Sequence, residues 1–440
     1  MDASTSTRLP GPSWLAADGR RVLLARACRS FGYGIVSVVL GVHVADLGMG
    51  GVELGILLAA AFLGSSILTI VVALTADRFG RKRVLLIFSA LMTLTGAAYA
   101  LSDQFWLLLL VSLSGTISAG IQEIGPFVTL EQAVLSQMAP DNRRTRIFTM
   151  YNLVGIGAGS AGALFAGGIA SLVSQLGLNP LLGHRWLFGA YAVGAFAALV
   201  IAVGLSSAVE LGAPPALASA LGIHRSRGIV FRLTALFGWD SFGGGFIVQS
   251  IVAYWFTLRF GLGVDGLGPV FAASNLLAAL SVLVAERLAG RIGLINTMVW
   301  SHVPANALVM LQAFVPSVEL AIGLQLIRSF LSQMDVPTRQ SYLMAVVDPS
   351  ERTAAAGFTT VGRNVAQAIA PPLAGIALQS PFLGLTLVVG GAIKIGYDLA
   401  LWYMFRTIRP PEEATRGQRP EARGQGREVR GQGSGVRGQD

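Results

Sequence analysis

The sequence predicts an all-α integral membrane protein with twelve transmembrane helices in two pseudo-symmetric six-helix halves. Three observations support this fold class. The 440 residues are 53% hydrophobic and only 12% charged, whereas a soluble domain carries about 25% charged residues. Long apolar runs recur along the chain, and arginine collects in alternate loops between them. Several motifs in the first half of the chain also recur in the second half.

Apolar segments that can cross a bilayer, which takes roughly 20 residues of helix, are found along the whole chain. The spans predicted in the first half are Ala27–Ala45, Gly55–Ala76, Val84–Leu101, Phe105–Leu130, Phe148–Leu172 and Leu187–Leu205. The spans predicted in the second half are Ile229–Phe256, Val270–Ala285, Ile295–Phe314, Leu320–Ala345, Ala354–Leu378 and Phe382–Met404.

The distribution of basic residues predicts the orientation of the chain. Arginine and lysine collect at the two ends and in every second loop, whereas the opposite loops offer little beyond Arg185 and Arg259. Because basic residues are enriched in cytoplasmic loops, both termini are predicted to be cytoplasmic, and the number of crossings must then be even. The predicted location is the cell (inner) membrane.

The stretch Ser206–Arg227, which contains two adjacent prolines and has a basic end, separates the two sets of spans. The predicted organisation is a cytoplasmic segment over 1–26, a six-helix bundle over 27–205, a central cytoplasmic loop over 206–228, a six-helix bundle over 229–405, and a disordered Arg/Gly/Gln-rich cytoplasmic tail over 406–440.

The two predicted bundles repeat each other. The stretch Ala76–Arg81 is echoed by Ala285–Arg291. At one constant offset, Gln132, Arg144 and Gly167 reappear as Gln340, Arg352 and Gly375. Internal repeats of this kind are typical of secondary transporters, whose substrate site lies between the repeats near the middle of the membrane.

A charged motif occupies the loop between the second and third predicted spans. It consists of Asp77, Arg78, Gly80, Arg81 and Lys82, with Ala73 in place of an opening glycine. The chain thereby resembles the major facilitator superfamily, and Val336–Gln340 resembles a stretch of its proton-coupled efflux members. The resemblance implies the superfamily fold and a conformational latch that helps to hold the outward-facing state. The latch residues that it implies are Asp77, Arg78, Gly80, Arg81, Glu286 and Arg287.

Charged side chains inside the spans are candidates for function, because each costs at least about 2.5–3.5 kcal/mol at a helix centre. The resemblance implies that the first, fourth, seventh and tenth helices line a central cavity. The candidate proton and substrate site comprises Asp240, Glu123, Asp335, Arg328, Arg363, Tyr33, Arg29 and Gln249. Asp240 is the first choice for a protonatable carboxylate, and Arg363 either binds an anionic group or pairs with Asp335 or Asp240.

Structural alternatives exist for the charges in the last three helices. Helical spacing places Arg328, Asp335 and Arg339 on one face of the tenth span, where they form either a switching arrangement or a permanent ion pair. Arg339, near the end of this span, is expected to be a loop charge. Lys394 and Asp398 lie four residues apart and are expected to form an internal ion pair.

Other polar or special residues also have structural interpretations. Arg29 either serves the site or extends its side chain toward the cytoplasm, and His43 is expected at the periplasmic end of its helix. The pair Pro371 and Pro372 is expected to bend or break the eleventh helix. The stretch Gly157–Gly162 matches a dinucleotide-binding pattern, but no strand precedes it. Its small residues are therefore predicted to let helices approach closely.

The sequence favours a secondary active transporter that works by alternating access. Protonation of Asp240, Glu123 or Asp335 is predicted to change which side is open. Proton-coupled efflux by antiport is the first hypothesis, uptake by symport is the second, and a non-transporting membrane sensor or scaffold is the third. The expected partners are a small-molecule substrate, protons and the bilayer. We expect a monomer that is not an enzyme, with no nucleic acid, cofactor or metal, since Cys28 is alone and the four histidines are scattered.

Overall fold

The computed structural model describes residues 17–118, 120, 125–138, 144–210, 225–348 and 351–406. This part of the chain forms α-helices, a short 3-10 helix (Ser207–Glu210) and no strand. The helices of the first half are α1 (Ala17–Asp46), α2 (Gly51–Phe79), α3 (Arg81–Leu101), α4 (Phe105–Ser112), α5 (Pro126–Met138), α6 (Arg144–Gln175) and α7 (Pro180–Val203). The helices of the second half are α8 (Arg227–Gly245), α9 (Gln249–Phe260), α10 (Val264–Ile292), α11 (Leu294–Gln312), α12 (Val318–Leu331), α13 (Asp335–Val346), α14 (Arg352–Leu378) and α15 (Leu385–Phe405).

These helices account for the twelve predicted crossings. Within the described ranges, nine helical stretches are long and apolar enough to cross a membrane, and α8 with α9 count as one of them. The other three crossings are α4 with α5, α12 with α13, and α14. The prediction of an all-α membrane fold with two six-helix halves is confirmed.

Three crossings are interrupted where the sequence disfavours helix. Between α8 and α9 the helix ends in three consecutive glycines, Gly243–Gly245, which have low helix propensity. Between α12 and α13, Pro337 has no N–H to donate to the carbonyl of Gln333, and its ring would clash with that carbonyl in a continuous helix. Between α4 and α5, Gly115 and Gly125 adopt positive φ angles of 62° and 151°. Each break therefore has a local cause.

Equivalent helices pack in equivalent ways in the two halves. In the first half, α1 packs against α6, and α3 packs against α7. In the second half, α8 packs against α14, and α11 packs against α15. Across the halves, α2 packs against α14, and α6 packs against α10. These pairings are the ones that a two-fold axis between the halves generates.

The halves meet closely at one end of the molecule. We call the end where α1 begins and α15 ends the terminal end, and the opposite end the far end. Toward the far end, a Cβ added to Gly41 of α1 would lie 2.2 Å from the carbonyl oxygen of Ser250 in α9. A Cβ added to Gly268 of α10 would lie 2.6 Å from the carbonyl oxygen of Ala163 and 2.7 Å from the Cα of Gly167 in α6. Small residues thus allow the backbones of the two halves to touch there.

Glycines also explain the packing inside the first half. A Cβ at Gly34 would meet the carbonyl oxygen of Gly159 at 1.9 Å, and a Cβ at Gly162 would meet that of Phe31 at 2.0 Å. The prediction that the Gly157–Gly162 stretch serves helix packing is therefore confirmed. In α14 the helix continues through Pro371 and Pro372 without a break, and it packs at Pro371 against Gly55 of α2.

Candidate functional site

A buried charge network joins three helices of the second half. Arg339 of α13 donates from Nη1 to Oδ2 of Asp240 in α8 at 3.0 Å and lies 3.1 Å from Oδ2 of Asp335. Lys394 of α15 donates to the other carboxylate oxygen of Asp240. Asp240, Asp335 and Arg339 are each no more than 5% exposed. Buried charges are as a rule paired. We call this set of residues the Asp240 network.

The expected places of Arg339 and Lys394 were wrong. Arg339 is not a loop charge, because α13 continues to Val346 and turns its side chain toward α8. Lys394 does not pair with Asp398, because it reaches across to Asp240 on α8. Asp398 instead contacts α11, with His302 Nδ1 at 3.0 Å.

The His302–Asp398 pair extends the polar interior toward α11. Asn306, one turn further along α11, donates from Nδ2 to Asp398 at 3.2 Å. Both oxygens of the Asp398 carboxylate therefore have partners. The sequence analysis treated the histidines as scattered and missed this contact, since positions 302 and 398 come together only in the fold.

The first half contains a smaller buried ion pair. Arg29 of α1 donates from Nη2 to Glu131 Oε2 in α5 at 2.6 Å, and the Tyr151 hydroxyl donates to the same oxygen at 2.9 Å. Arg29 is 1% exposed, so its side chain does not extend to solvent. The guanidinium carbon lies 4.2 Å from the ring centre of Phe127. Tyr33 is buried in the core, with its ring 6.3 Å from that of Tyr191.

Sequence reasoning missed Glu131 because the predicted fourth span ended at Leu130. The described helix α5 continues to Met138, which places Glu131 in the interior. The only available signal was the position of this glutamate directly after an apolar run, beside the repeated residue Gln132.

The two buried ion pairs are equivalent in position and opposite in polarity. At the offset that relates Gln132 to Gln340, Glu131 corresponds to Arg339. Each side chain pairs with the first helix of its own half, Glu131 with Arg29 and Arg339 with Asp240. The first half thus has the base on its first helix, and the second half has the acid there.

Hydrogen bonds close the halves toward the far end. Gln249 donates from Nε2 to Ser37 Oγ at 2.8 Å, and the Tyr254 hydroxyl donates to the carbonyl of Met49 at 3.0 Å. Gln249 and Tyr254 lie in α9 of the second half, whereas Ser37 and Met49 belong to the first half. Toward the terminal end, the described residues of the broken-helix segments α5 and α13 form no extensive contact with each other. The interface is therefore tighter at the far end.

Two of the cavities in the described part of the chain lie in the second half. The larger, about 590 Å³, opens between α8, α13 and α14 toward the terminal end, and Arg339, Arg352 and Arg363 line it. Arg363 donates from Nε to Ser241 Oγ at 3.1 Å. Among the described residues it forms no ion pair with Asp240 or Asp335, so that expectation is not met. The smaller cavity, about 120 Å³, lies between α9, α10 and α12.

Arg328 lines the smaller cavity together with Gln249. The helix break after Leu331 separates Arg328 from Asp335, so the predicted continuous face of the tenth span is wrong. The break after Gly245 likewise interrupts the predicted seventh span, between Asp240 and Tyr254.

The implied latch is described only in part. The side chains of the latch residues Asp77 and Arg78 lie outside the described residues. Glu123, which belongs to the candidate proton and substrate site, lies outside them as well. Gly80 has a φ of 90° between α2 and α3, and Arg81 is buried. Glu286 and Arg287 are exposed, and neither forms an ion pair in the described ranges. The latch remains a prediction.

An acidic residue that the sequence analysis missed lies beside this loop. The carboxylate of Glu210 accepts the backbone N–H of Arg81 at 2.6 Å and that of Lys82 at 3.1 Å, at the start of α3. An anion at a helix N-terminus is electrostatically favourable.

In the described ranges, no three His, Cys, Asp or Glu side chains cluster closely enough to hold a metal ion.

Comparison with known proteins decides the family. The profile of the Major Facilitator Superfamily matches residues 22–318 and 241–433, which is most of the chain. The chain belongs to the major facilitator superfamily. It is 27% identical over 412 residues to the uncharacterized membrane protein YJR124C of Saccharomyces cerevisiae, covering 86% of this chain and 91% of that protein.

A shorter match relates this superfamily member to the quinolone resistance protein NorA of Staphylococcus aureus. The two are 31% identical over 117 residues, which is 27% of this chain and 29% of NorA.

Solved structures of the superfamily share the fold. A bacterial homolog of the human lysosomal transporter Spinster, in an inward-facing and occupied conformation, aligns with a TM-score of 0.70 at 15% identity, over 90% of this chain and 98% of that one. A D-xylose–proton symporter aligns with a TM-score of 0.68 at 15% identity, over 87% of this chain and 96% of that one. Its membership of the superfamily makes this protein a multi-pass membrane transporter with a small-molecule substrate.

Proposed function

We propose that this protein exports a small molecule across the cell membrane in exchange for protons, by alternating access between its halves. The observation that carries the proposal is the Asp240 network, a set of buried acids and bases directly beside the break between α12 and α13. Intramembrane charges of this kind are typical of proton relays and substrate pathways. No cofactor takes part in the proposed cycle.

The arginine distribution supports an orientation with both termini in the cytoplasm. On that orientation the tight far end faces outward, and the state described here is open toward the cytoplasm. A substrate would enter from the cytoplasm, and the far-end contacts of Gln249 and Tyr254 would separate when the protein opens outward.

The proton step is assigned to the two carboxylates that share Arg339. Asp240 forms ion pairs with two basic residues, whereas Asp335 forms an ion pair with Arg339 only among the described residues. Protonation of Asp335 removes one of the two negative charges beside Arg339. The guanidinium then pairs with Asp240 only, and the first turn of α13 loses its side-chain ion pair with Arg339. Because Asp335 begins α13, this change acts directly on the hinge at Ser332–Met334.

Export is supported by the partial match to NorA, which is named for quinolone resistance. Uptake by symport is the alternative, and a protein that senses without transporting is a further one. The network geometry serves antiport and symport equally well, so the direction must be measured.

Reconstituted vesicles with an internal pH dye test this proposal. We would impose a pH gradient of either sign and screen a mixed library of radiolabelled or fluorescent small molecules. An antiporter accumulates substrate when the vesicle interior is acidic, and a symporter does so when the exterior is acidic, whichever way the protein is inserted. Asp335→Asn and Asp240→Asn should abolish gradient-driven accumulation. Glu319→Gln, an exposed residue in the first turn of α12, is the matched control.

Accumulation that is indifferent to the gradient and to both variants would overturn proton coupling. The absence of any flux from well-folded protein would favour the sensor alternative.

A further inference from the structure

We propose that the 120 Å³ cavity between α9, α10 and α12 binds the anionic group of the transported substrate, with Arg328 as its counter-ion. We call this cavity the Arg328 cavity. The inference rests on the proposed transport function and names its substrate class, an organic anion with an apolar body.

One face of each neighbouring helix builds the Arg328 cavity. From α12 come Gln325, Arg328 and Ser329 together with Ser332 just beyond its end, and from α10 come Phe271, Ser274, Asn275 and Ala278. The spacings of three and four residues place each set on one side of its helix. The cavity lies about halfway along both crossings, the depth at which transporters of this architecture hold substrates.

Polar atoms without partners point to a missing ligand. Ser274 Oγ, Asn275 Nδ2, Gln325 Oε1 and Arg328 Nε are buried and form no hydrogen bond to any residue in the described part. Ser274, Asn275 and Gln325 are each at least 93% buried. A buried polar group without a partner is costly, and these four atoms belong to residues that line one cavity.

The charge of this set favours an anion. Among the other cations in the interior, Arg29 pairs with Glu131, Arg339 with Asp240 and Asp335, and Lys394 with Asp240. Arg363 forms no such pair and donates instead to the Ser241 hydroxyl. Arg328 forms no ion pair with any described residue, and no acid lines its cavity. A guanidinium keeps its charge in proteins, so only a bound anion would neutralise it. Asn275 and Ser274 add donors that suit a carboxylate or phosphate.

The size of the cavity fits a head group rather than a whole drug-sized molecule. A volume of 120 Å³ equals about four waters at roughly 30 Å³ each, enough for a carboxylate with a few carbons. Apolar side chains of Ile247, Val252 and Phe271 complete the wall. The remainder of the ligand would therefore extend from the cavity as an apolar body.

The location couples an occupant to both moving parts of the transporter. Gln249 lines the cavity and also donates to Ser37 of the first half. Ser332 and Gln333 line it as well and form the break that leads to Asp335. An anion at Arg328 therefore contacts the far-end closure and the hinge beside the proton network.

Paired ligands that differ only in charge test the inference. The probes are phenylalkanoates from benzoate to 6-phenylhexanoate and the corresponding neutral amides, added to the full-length protein in nanodiscs. Binding is read as thermal stabilisation, and transport is read as flux in vesicles. We expect carboxylates to bind the wild type at least about tenfold more tightly than their amides, since a hydrogen bond to a charged group contributes about 1.5–3 kcal/mol. Arg328→Gln should remove this preference, and Arg328→Lys should retain part of it.

Equal binding of acids and amides to the wild type, no binding of either, or an intact preference in Arg328→Gln would overturn the inference. If Arg328→Gln does not fold, Asn275→Leu removes one donor, keeps the arginine, and should weaken carboxylates more than amides. Failure of the transport function is distinguishable, because carboxylates would then still stabilise the wild type selectively without any flux. Proton-driven flux of neutral compounds alone would overturn the anion site and leave the transport function intact.

Discussion

At the scale of single residues, the interior of this protein is organised around ion pairs whose two members lie on different helices. Arg29 pairs with Glu131, and Arg339 pairs with Asp240 and Asp335. Each ion pair links the first helix of a half, α1 or α8, to the second segment of its broken fourth crossing, α5 or α13. The two ion pairs have opposite polarity. The second half therefore shows that an ion pair in this place can have its acid on the first helix of the half and its base on the fourth crossing.

Exchanging the charges of the first-half pair should therefore be tolerated better than breaking it. We expect Arg29→Gln to destabilise the protein by about 3–5 kcal/mol, because it leaves Glu131 buried without its cation. The double exchange Arg29→Glu with Glu131→Arg should recover a large part of this loss. Thermal unfolding in detergent measures both. A double variant no more stable than Arg29→Gln would contradict the pairing as the source of the stability.

The sequence was a good guide to the presence of these charges and a poor guide to their partners. It singled out Asp240, Asp335 and Arg328, because an intramembrane charge stands out from apolar neighbours. It assigned Arg339 to a loop and paired Lys394 with Asp398, because spacing along one helix says nothing about the helix opposite. Partner choice depends on how three or four helices pack, which no local pattern contains.

At the scale of helices, the main structural feature is the break in several of the crossings that face the interior. The spans themselves could be predicted, since apolar length is a local property of the sequence. The breaks within the spans could not be predicted, as the tenth span shows. Pro337 was visible in the sequence, but the helical spacing of Arg328 and Arg339 indicated one continuous helix face. The break sends Arg328 to one cavity and Arg339 to the charge network.

Removing the proline should remove the hinge. Pro337→Ala supplies an N–H that can bond to the carbonyl of Gln333, so α12 and α13 should join into one helix. We expect transport to slow at least severalfold while thermal stability is unchanged or higher. Pro304→Ala is the matched control, because Pro304 lies inside the continuous helix α11. If both variants transport at the same rate as the wild type, the break has no role in the cycle.

At the scale of the whole molecule, the two halves touch through small residues toward the far end, and that contact defines the state described here. Gly41 against Ser250 and Gly167 against Gly268 bring backbone to backbone. A contact of this kind has no side chains to rearrange, so a single added methyl group must push the halves apart.

Gly41→Ala should therefore shift the population away from the closed far end. Its Cβ would lie 2.2 Å from the Ser250 carbonyl oxygen, whereas a Cβ at Gly168 would meet nothing within 4 Å, so Gly168→Ala is the control. Spin labels on cysteines at Gln104 and Arg259, in a Cys28→Ser background, report the distance between the halves at this end. We expect a longer mean distance in Gly41→Ala only. An unchanged distribution would show that this contact does not set the equilibrium.

The opposed polarity of the two buried ion pairs also has an electrical consequence. Parallel repeats of this architecture are related by an axis along the membrane normal. Rotation about that axis preserves depth in the membrane, so Glu131 and Arg339, which correspond at the offset of the repeats, lie at equivalent depths. Arg29 and Asp240 are one helical turn apart, since Arg29 corresponds to Phe237. A membrane voltage, which acts with about 2.3 kcal/mol per charge per 100 mV, would therefore pull the Glu131 carboxylate and the Arg339 guanidinium in opposite directions along the normal.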